Sequence, residues 1–302
     1  MTRPRCRGVG WAPWLAIGLA ACGGGPQPDY AAPQSVCYDE SRDVYLVSNS
    51  LGGPLEKNGD AFILRVSPDD GTRTAWISSG QTGVVLNAPK GMAIVGDTLW
   101  VADIDVLRKF DRSSGAPMGE VQIPRATSLY DVAGGPDGSV YCSDSGLDAS
   151  GQPTGMDAIW RVAPDGNVSA LVAGVDLGQP TAIVAQRAGL YCVGWRDGAF
   201  YQVDYRGIRT DLGKAPQAKL AGLARFEASA SDGVGVSAGK KSQAAWVACS
   251  WEGSTIYRFA MTGGAAPMPV RLEEAGDFCF DPKRNRLVIP LRSANRLHLE
   301  NF

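Results

Sequence analysis

Histidine is nearly missing from this chain: of 302 residues only His298 is one, close to the C-terminal end. A serine or cysteine nucleophile that needs a histidine base therefore has no partner in the body of the chain. Histidine-built metal sites are excluded for the same reason. The seven cysteines include no Cys-x-x-Cys pair, which removes the usual zinc and dithiol redox readings. No phosphate-binding glycine loop follows a strand pattern. Gly233-Val234-Gly235 stands outside one, and Gly23-Gly24-Gly25 lies in a tether-like stretch. Long apolar runs are absent too. Trp14 to Ala21 falls well short of the roughly 20 residues a bilayer span takes. Charge of one sign is not in excess: 29 Lys and Arg against 31 Asp and Glu give a net charge of −2 at pH 7, with no basic surplus for nucleic acid. No long segment carries helical periodicity.

What is present starts with an address. Arg3, Arg5 and Arg7 precede the short apolar run, which ends in Leu19-Ala20-Ala21-Cys22. A basic start, a short apolar core and a small-residue end make a secretory signal peptide over residues 1–21. The last four residues match the bacterial lipobox, which implies cleavage before Cys22 and acylation of its thiol. Cys22 and the Gly/Pro-rich residues up to 32 then form a lipidated tether. Gly23 after the cysteine, where an Asp would retain the protein at the inner membrane, fits an outer-membrane lipoprotein on the periplasmic side of a bacterial envelope. Removing residues 1–21 takes away three arginines and no acids, so the net charge moves from −2 to −5. The membrane is engaged through the lipid alone.

From residue 33 a phrase recurs. Pro33-Gln34-Ser35-Val36 is followed by Val44-Tyr45-Leu46-Val47-Ser48-Asn49, and Pro89-Lys90-Gly91-Met92 by Leu99-Trp100-Val101-Ala102-Asp103. Tyr130-Asp131-Val132 leads to Val140-Tyr141-Cys142-Ser143-Asp144, and Pro180-Thr181-Ala182-Ile183 to Tyr191-Cys192-Val193-Gly194-Trp195. Ala221-Gly222-Leu223 leads to Val247-Ala248-Cys249-Ser250-Trp251, and Gly276-Asp277-Phe278 to Leu287-Val288-Ile289-Pro290-Leu291. Six units at a spacing of roughly 40–56 residues have the period of propeller blades. Residues 33–302 are therefore expected to form one all-β, six-bladed propeller, because blades bury their faces only against neighbours.

Within each unit the second strand is almost wholly apolar, as a strand covered on both faces should be. The third strands, such as Phe62–Val66 and Ile256–Phe259, are rich in aromatic and branched residues. Pro136-Asp137-Gly138 and Pro164-Asp165-Gly166 mark hairpin turns. The last unit runs out after about three strands, so ring closure is expected to be short and to leave an edge. Loops Ser50–Asp60 and Gly146–Asp157 should ring one mouth of the channel, and the insertion Ala228–Ser242 should leave the opposite face. Cys37, Cys142, Cys192, Cys249 and Cys279 all fall in strands and are expected to be small buried hydrophobes rather than disulfide partners. Cys142 and Cys249 are placed in one column with Val47, Val101, Val193 and Ile289. Asp103 and Asp105 at a strand end are either solvated turn carboxylates or a weak cation site.

The chain resembles the SMP-30/gluconolactonase/LRE-like family of six-bladed propellers. The resemblance is carried by Pro33-Gln34-Ser35-Val36, by Asn87 to Asp103 and by Asp281-Pro282-Lys283-Arg284-Asn285. It implies a divalent metal at the channel mouth held by a Glu, an Asn and an Asp from the starts of three innermost strands, with a second Asn on the substrate. The metal would polarise a lactone carbonyl and activate water. In this chain those positions hold Gln34, Thr181, Ala221 and Tyr130. None of the three ligands is retained, and neutral oxygens alone bind a hard dication weakly. No metal or other cofactor is therefore expected.

Lys90 stands in the same column, where a cation repels a dication and favours an anionic group. Its alternative is a rim lysine whose charge reaches solvent. Trp195 and Trp251 end equivalent strands near Tyr130, where aromatics either receive a ligand or pack under the loops. Asp131 and Asp277 share the next column; they either bond backbone amides at strand starts or serve as replacement ligands or a base. The function expected is a monomeric, non-catalytic module for a small molecule or an envelope protein. Its mouth would be lined by Gln34, Lys90, Tyr130, Asp131, Thr181 and Asp277, with Trp195 and Trp251 near. The alternatives are a divergent lactone or ester hydrolase using Ca²⁺ or another divalent ion on Asp131 and Asp277, and a structural envelope lipoprotein.

Overall fold

The computed structural model describes residues 29–228, 243–260 and 263–302. The expected signal peptide, Cys22, most of the tether and nearly all of the insertion at 228–242 lie outside the described residues. Among the described residues no helix is long and apolar enough to cross a membrane.

Six antiparallel sheets follow one another along the chain. Blade 1 is β1 (Pro33–Asp39), β2 (Val44–Asn49), β3 (Phe62–Val66) and β4 (Arg73–Ser78). Blade 2 is β5 (Pro89–Val95), β6 (Thr98–Asp103), β7 (Val106–Asp111) and β8 (Pro117–Gln122). Blade 3 is β9 (Leu129–Gly134), β10 (Val140–Asp144), β11 (Ala158–Val162) and β12 (Val168–Ala173). Blade 4 is β13 (Pro180–Gln186), β14 (Gly189–Gly194), β15 (Ala199–Val203) and β16 (Arg209–Lys214). Blade 5 is β17 (Leu220–Ala228), β18 (Gln243–Ser250), β19 (Thr255–Phe259) and β20 (Ala265–Pro267). Blade 6 has β21 (Cys279–Asp281), β22 (Arg286–Leu291) and β23 (Arg296–Asn301) only. The six-bladed propeller read from the repeat is the fold observed.

Burial follows strand rank. The second strands β2, β10 and β22 are buried almost throughout, whereas β8 and β12 carry mostly exposed or half-buried residues. The hydrophobic cores lie between blades: Leu46, Ile63, Met92, Val101 and Phe110 join blades 1 and 2, and Ala182, Val193, Phe200, Leu223 and Trp246 join blades 4 and 5. Gly138 and Gly166 close their hairpins at φ 78° and 87°, the left-handed region in which a side chain is strained. The five cysteines named above are free. Cys142, Cys192 and Cys249 are buried, but Cys37 and Cys279 are half-buried beside the channel, so they are only partly the core residues expected. The register also corrects their alignment. Cys249 pairs across from Gly222 while Cys142 pairs across from Val132, so Cys249 and Val193 stand one place later than Cys142, in the column of Ser48 and Ser143.

Among the described residues, ring closure uses no borrowed strand. The Val36 N–H donates to the Asp277 carbonyl at 3.1 Å, and the Asp277 N–H donates to the Gln34 carbonyl at 2.9 Å. Val36, Tyr45, Val47 and Val288 pack across the seam, and its outer part is ionic. Arg284 reaches Asp43 through both terminal nitrogens at 2.7 and 2.9 Å and reaches Asp69 at 2.7 Å; Arg286 donates to the Tyr45 hydroxyl at 2.8 Å, and Tyr45 donates to the fully buried Asp281. The Asp281–Asn285 stretch that carried part of the family resemblance is thus the stitching of the first blade to the last.

Candidate functional site

The innermost strands β1, β5, β9, β13 and β17 share one irregularity. Pro33 pairs with Asn49 and Ser35 with Ser48, leaving Gln34 as an extra residue. The same slip occurs around Lys90, Tyr130, Thr181 and Ala221. A β-bulge inserts one residue and re-aims its side chain. Recurring around the ring, it sets up one column at the channel mouth. The backbone groups that the bulges free are taken up by hydroxyls. Ser48 accepts from the Ser35 N–H and donates to the Lys90 carbonyl at 2.9 Å, and Ser143 accepts from the Asp131 N–H and donates to the Thr181 carbonyl.

This column and the two aromatics meet at a cavity of about 210 Å³. Gln34, Lys90, Tyr130, Thr181, Trp195 and Trp251 all line it. Both long loops reach it, the first through Pro54 and Leu55, the second through Leu147 and Asp148. Gln34 spends its carboxamide nitrogen on the Ala32 carbonyl at 2.9 Å and the Ser50 hydroxyl at 3.1 Å. Thr181 gives its proton to the Leu220 carbonyl at 2.6 Å. Trp251 is fixed by a bond from its indole N–H to the Ala275 carbonyl at 2.6 Å, and Trp195 meets it edge-on with ring centroids 5.2 Å apart. Lys90 is 6 % exposed, not a solvated rim residue. Its ammonium donates to the Leu129 carbonyl at 3.3 Å and lies 6.0 Å from the Tyr130 ring centroid. Burial pushes its pKa down to about 8 against the pull of Asp103 and Asp144. Burial likewise pushes the Tyr130 hydroxyl well up.

Asp131 and Asp277 are not at this mouth, contrary to the sequence reading. One residue past the bulge, they line a second cavity of about 590 Å³ on the other side of the constriction, with Val36, Ile183 and Phe278. Asp131 accepts from the amides of Val132 at 2.7 Å and Ile183 at 2.8 Å. Asp277 accepts from the Ser35 hydroxyl at 2.7 Å and from the amides of Leu223 and Phe278. They tie neighbouring innermost strands together, and Gly91 leaves room for one of them: a β-carbon there would lie 2.1 Å from Asp131 Oδ1. Burial raises both carboxyls, Asp277 to about 7 and Asp131 well above its ordinary range, the latter also through the charge of Asp277.

Asp103 and Asp105 are corrected as well. Asp103 is fully buried and accepts from the amides of Asn87 and Ala88 and from Arg108. Asp105 pairs with Lys57 of the first long loop. Asp144 does for Thr127 and Ser128 what Asp103 does for blade 2, so acids at these strand ends hold the segment that enters the bulge.

The metal implied by the resemblance does not fit these residues. Of its three positions, Thr181 has a committed hydroxyl, Ala221 offers a methyl group buried in the core, and only Gln34 has a neutral oxygen to give, with a buried ammonium in the same column. Among the described residues no three His, Cys, Asp or Glu side chains converge.

Sequence reasoning missed Arg292, Ser128 and Ser145, which complete the wall of the mouth cavity. Arg292 was within reach. The amides of Trp195, Trp251 and Arg292 donate to the carbonyls of Gln179, Lys219 and Glu274, each two residues before the bulge column, so Arg292 is the sixth blade's equivalent of the two tryptophans.

Three solved structures share the architecture at identities that speak to fold alone. A calcium-binding protein, regucalcin, from Agrobacterium tumefaciens is 15% identical over 91% of this chain and 93% of its own, with a TM-score of 0.65. An auxiliary nutrient binding protein from Bacteroides thetaiotaomicron is 10% identical over 90% of this chain and 70% of its own, at 0.64. A putative gluconolactonase from a structural genomics consortium is 16% identical over 90% of this chain and 91% of its own, at 0.63. No curated protein sequence matches the chain. The model of the SMP-30/Gluconolactonase/LRE-like region matches residues 59–290, most of the ring, and the chain belongs to that family.

Proposed function

We propose that this chain is a non-catalytic member of its family that binds a small molecule in the mouth cavity. One observation carries the reading: the bulge column that presents metal ligands in the family's enzymes here presents Gln34, Thr181 and Ala221 beside the buried ammonium of Lys90. A lysine so placed costs desolvation, and a dication beside it would add repulsion. The binding walls survive while the Lewis acid's seat does not. That the fold also serves a nutrient binding protein is consistent with this use. The lipobox adds a location: a monomer tethered by an acylated Cys22, on the periplasmic side of the outer membrane, presenting its mouth to small molecules of that compartment.

Calorimetric titration of the purified protein with Ca²⁺ and Mn²⁺, with lactone hydrolysis assayed on the same sample, tests the proposal. No metal binding up to millimolar concentration and no turnover are expected. Micromolar binding with metal-dependent turnover would overturn it and make the chain an enzyme with relocated ligands.

A further inference from the structure

We propose that the mouth cavity takes a monocarboxylate whose remainder is a flat apolar body of about benzoate size. The inference rests on the binding reading above and names its ligand class. Charge comes first. Lys90 lies on the floor of the cavity with a single long hydrogen bond to the Leu129 carbonyl, which leaves two of its three N–H donors without a protein acceptor. No carboxylate among the described residues is within ion-pair distance of it. Asp103 and Asp144, the acids nearest in effect, spend their oxygens on backbone amides. Arg292 adds a second cation to the wall, 27 % exposed, whose own partner Glu274 stands at 3.9 Å, the limit of contact. Asp148 at the rim is held by the amides of Ser150 and Gln152 within its loop. The cavity therefore presents two cations, each partly offset by nearby acids, Lys90 by Asp103 and Asp144 and Arg292 by Glu274, with Asp148 as a further acid at the rim, and this balance suits a single negative charge better than a dianion. A buried ammonium is offset by an anion that also accepts its free donors, and charge-assisted bonds of this kind are about twice as strong as neutral ones.

Shape sets the rest of the ligand. Away from Lys90 the wall is Trp195, Trp251, Tyr130, Leu55 and Leu147. The Trp251 ring is locked by its bond to Ala275, and Trp195 stands at 71° to it, so the two present a rigid corner into which a planar ring packs edge or face. The cavity, about 210 Å³ and open to solvent at its mouth, has room for a benzoate-sized molecule.

The test is titration of the full chain with benzoate, with its neutral relative benzamide and with inorganic phosphate, followed by tryptophan emission and calorimetry. Benzoate is expected to bind at least tenfold more tightly than benzamide. Lys90→Met should bring benzoate down to the affinity of benzamide and leave benzamide unchanged, and Arg292→Met should weaken benzoate by about threefold. If Lys90→Met does not fold, Lys90→Gln keeps the length without the charge. Equal affinities for benzoate and benzamide, or displacement of benzoate by phosphate, would refute the carboxylate assignment while leaving a ligand-binding cavity. Binding of neither organic probe would refute the assignment and leave the binding reading to the metal titration above.

Discussion

The buried carboxyls at the waist of the ring make a prediction about pH. A carboxylic acid in an unfolded chain titrates near ~4. Asp277 in the folded ring is raised to about 7 by burial, and Asp131 is raised by burial and by Asp277. The folded state therefore holds more protons than the unfolded state between those values, and stability must fall as pH rises through that window. For Asp277 a shift of about three units at ~1.36 kcal/mol each sets a ceiling near 4 kcal/mol. The part of the window above pH 5, together with the opening of both groups to the 590 Å³ cavity, reduces this to about 2 kcal/mol between pH 5 and 8. Lys90, lowered to about 8, works with the opposite sign and only above that pH. Urea unfolding at pH 5, 6, 7 and 8 reads the slope directly. The double variant Asp131→Asn, Asp277→Asn should lose most of the slope, whatever its absolute stability, keeping only the smaller contribution of Asp157, whose carboxyl burial also raises; a single substitution leaves its neighbour buried. A wild-type midpoint that does not move, or a double variant that keeps the wild-type slope, would refute the assignment.

Two further outcomes follow from the seam and from the N-terminus. Arg284→Ala takes one partner from each of Asp43, Asp69 and the buried Asp281, of which Asp43 keeps Lys283 and Asp281 keeps Tyr45 and Arg286, and should cost about 2 kcal/mol in urea unfolding, whereas Asp69→Ala, at a side chain 78% exposed, should cost under about 1 kcal/mol. Equal small losses would mean that the innermost strand pair closes the ring unaided. Cys22→Ser should abolish incorporation of labelled fatty acid and move the protein from the membrane to the soluble fraction; retained label would place the acylation elsewhere.

The ring was legible because a propeller writes its geometry as a period. Apolar second strands such as Tyr45-Leu46-Val47 recur, and once the spacing is counted the bulge column follows: Gln34, Lys90, Tyr130 and Thr181 come to one cavity. The direction of a side chain on either side of a bulge is a different matter. Asp131 and Asp277 stand one position past the column, and the pleat turns them to the other side of the constriction. A carboxylate at a strand start or end is also ambiguous in sequence, because the same side chain that could serve chemistry is a good acceptor for backbone amides. Asp103, Asp131 and Asp277 resolve to the second use. Loop walls such as Leu55 and Leu147 carry no periodic signal, so only the folded ring reveals them. Lys90 read equally well as a rim lysine, and only the folded ring shows it 6 % exposed.

The division of labour in this ring explains how a family can change its chemistry and keep its fold. Polar bonds between blades run from the hydroxyls of Ser48 and Ser143 and to the waist carboxylates, the strand-end acids Asp103 and Asp144 hold the lead-in segments of their own blades, and all of them bond backbone. The bulge column leans on them through its main chain while its side chains face the mouth. Thr181 does both, and its hydroxyl is already committed to the next blade. Replacing a metal ligand in that column with glutamine or alanine, or placing a lysine elsewhere in it, therefore leaves the inter-blade bonds intact, so the cost falls on the ligand site and not on the ring. A buried lysine is the extreme case. Its desolvation is a standing penalty on the folded protein that a bound anion relieves, and ligand binding and ring stability are coupled through the same side chain.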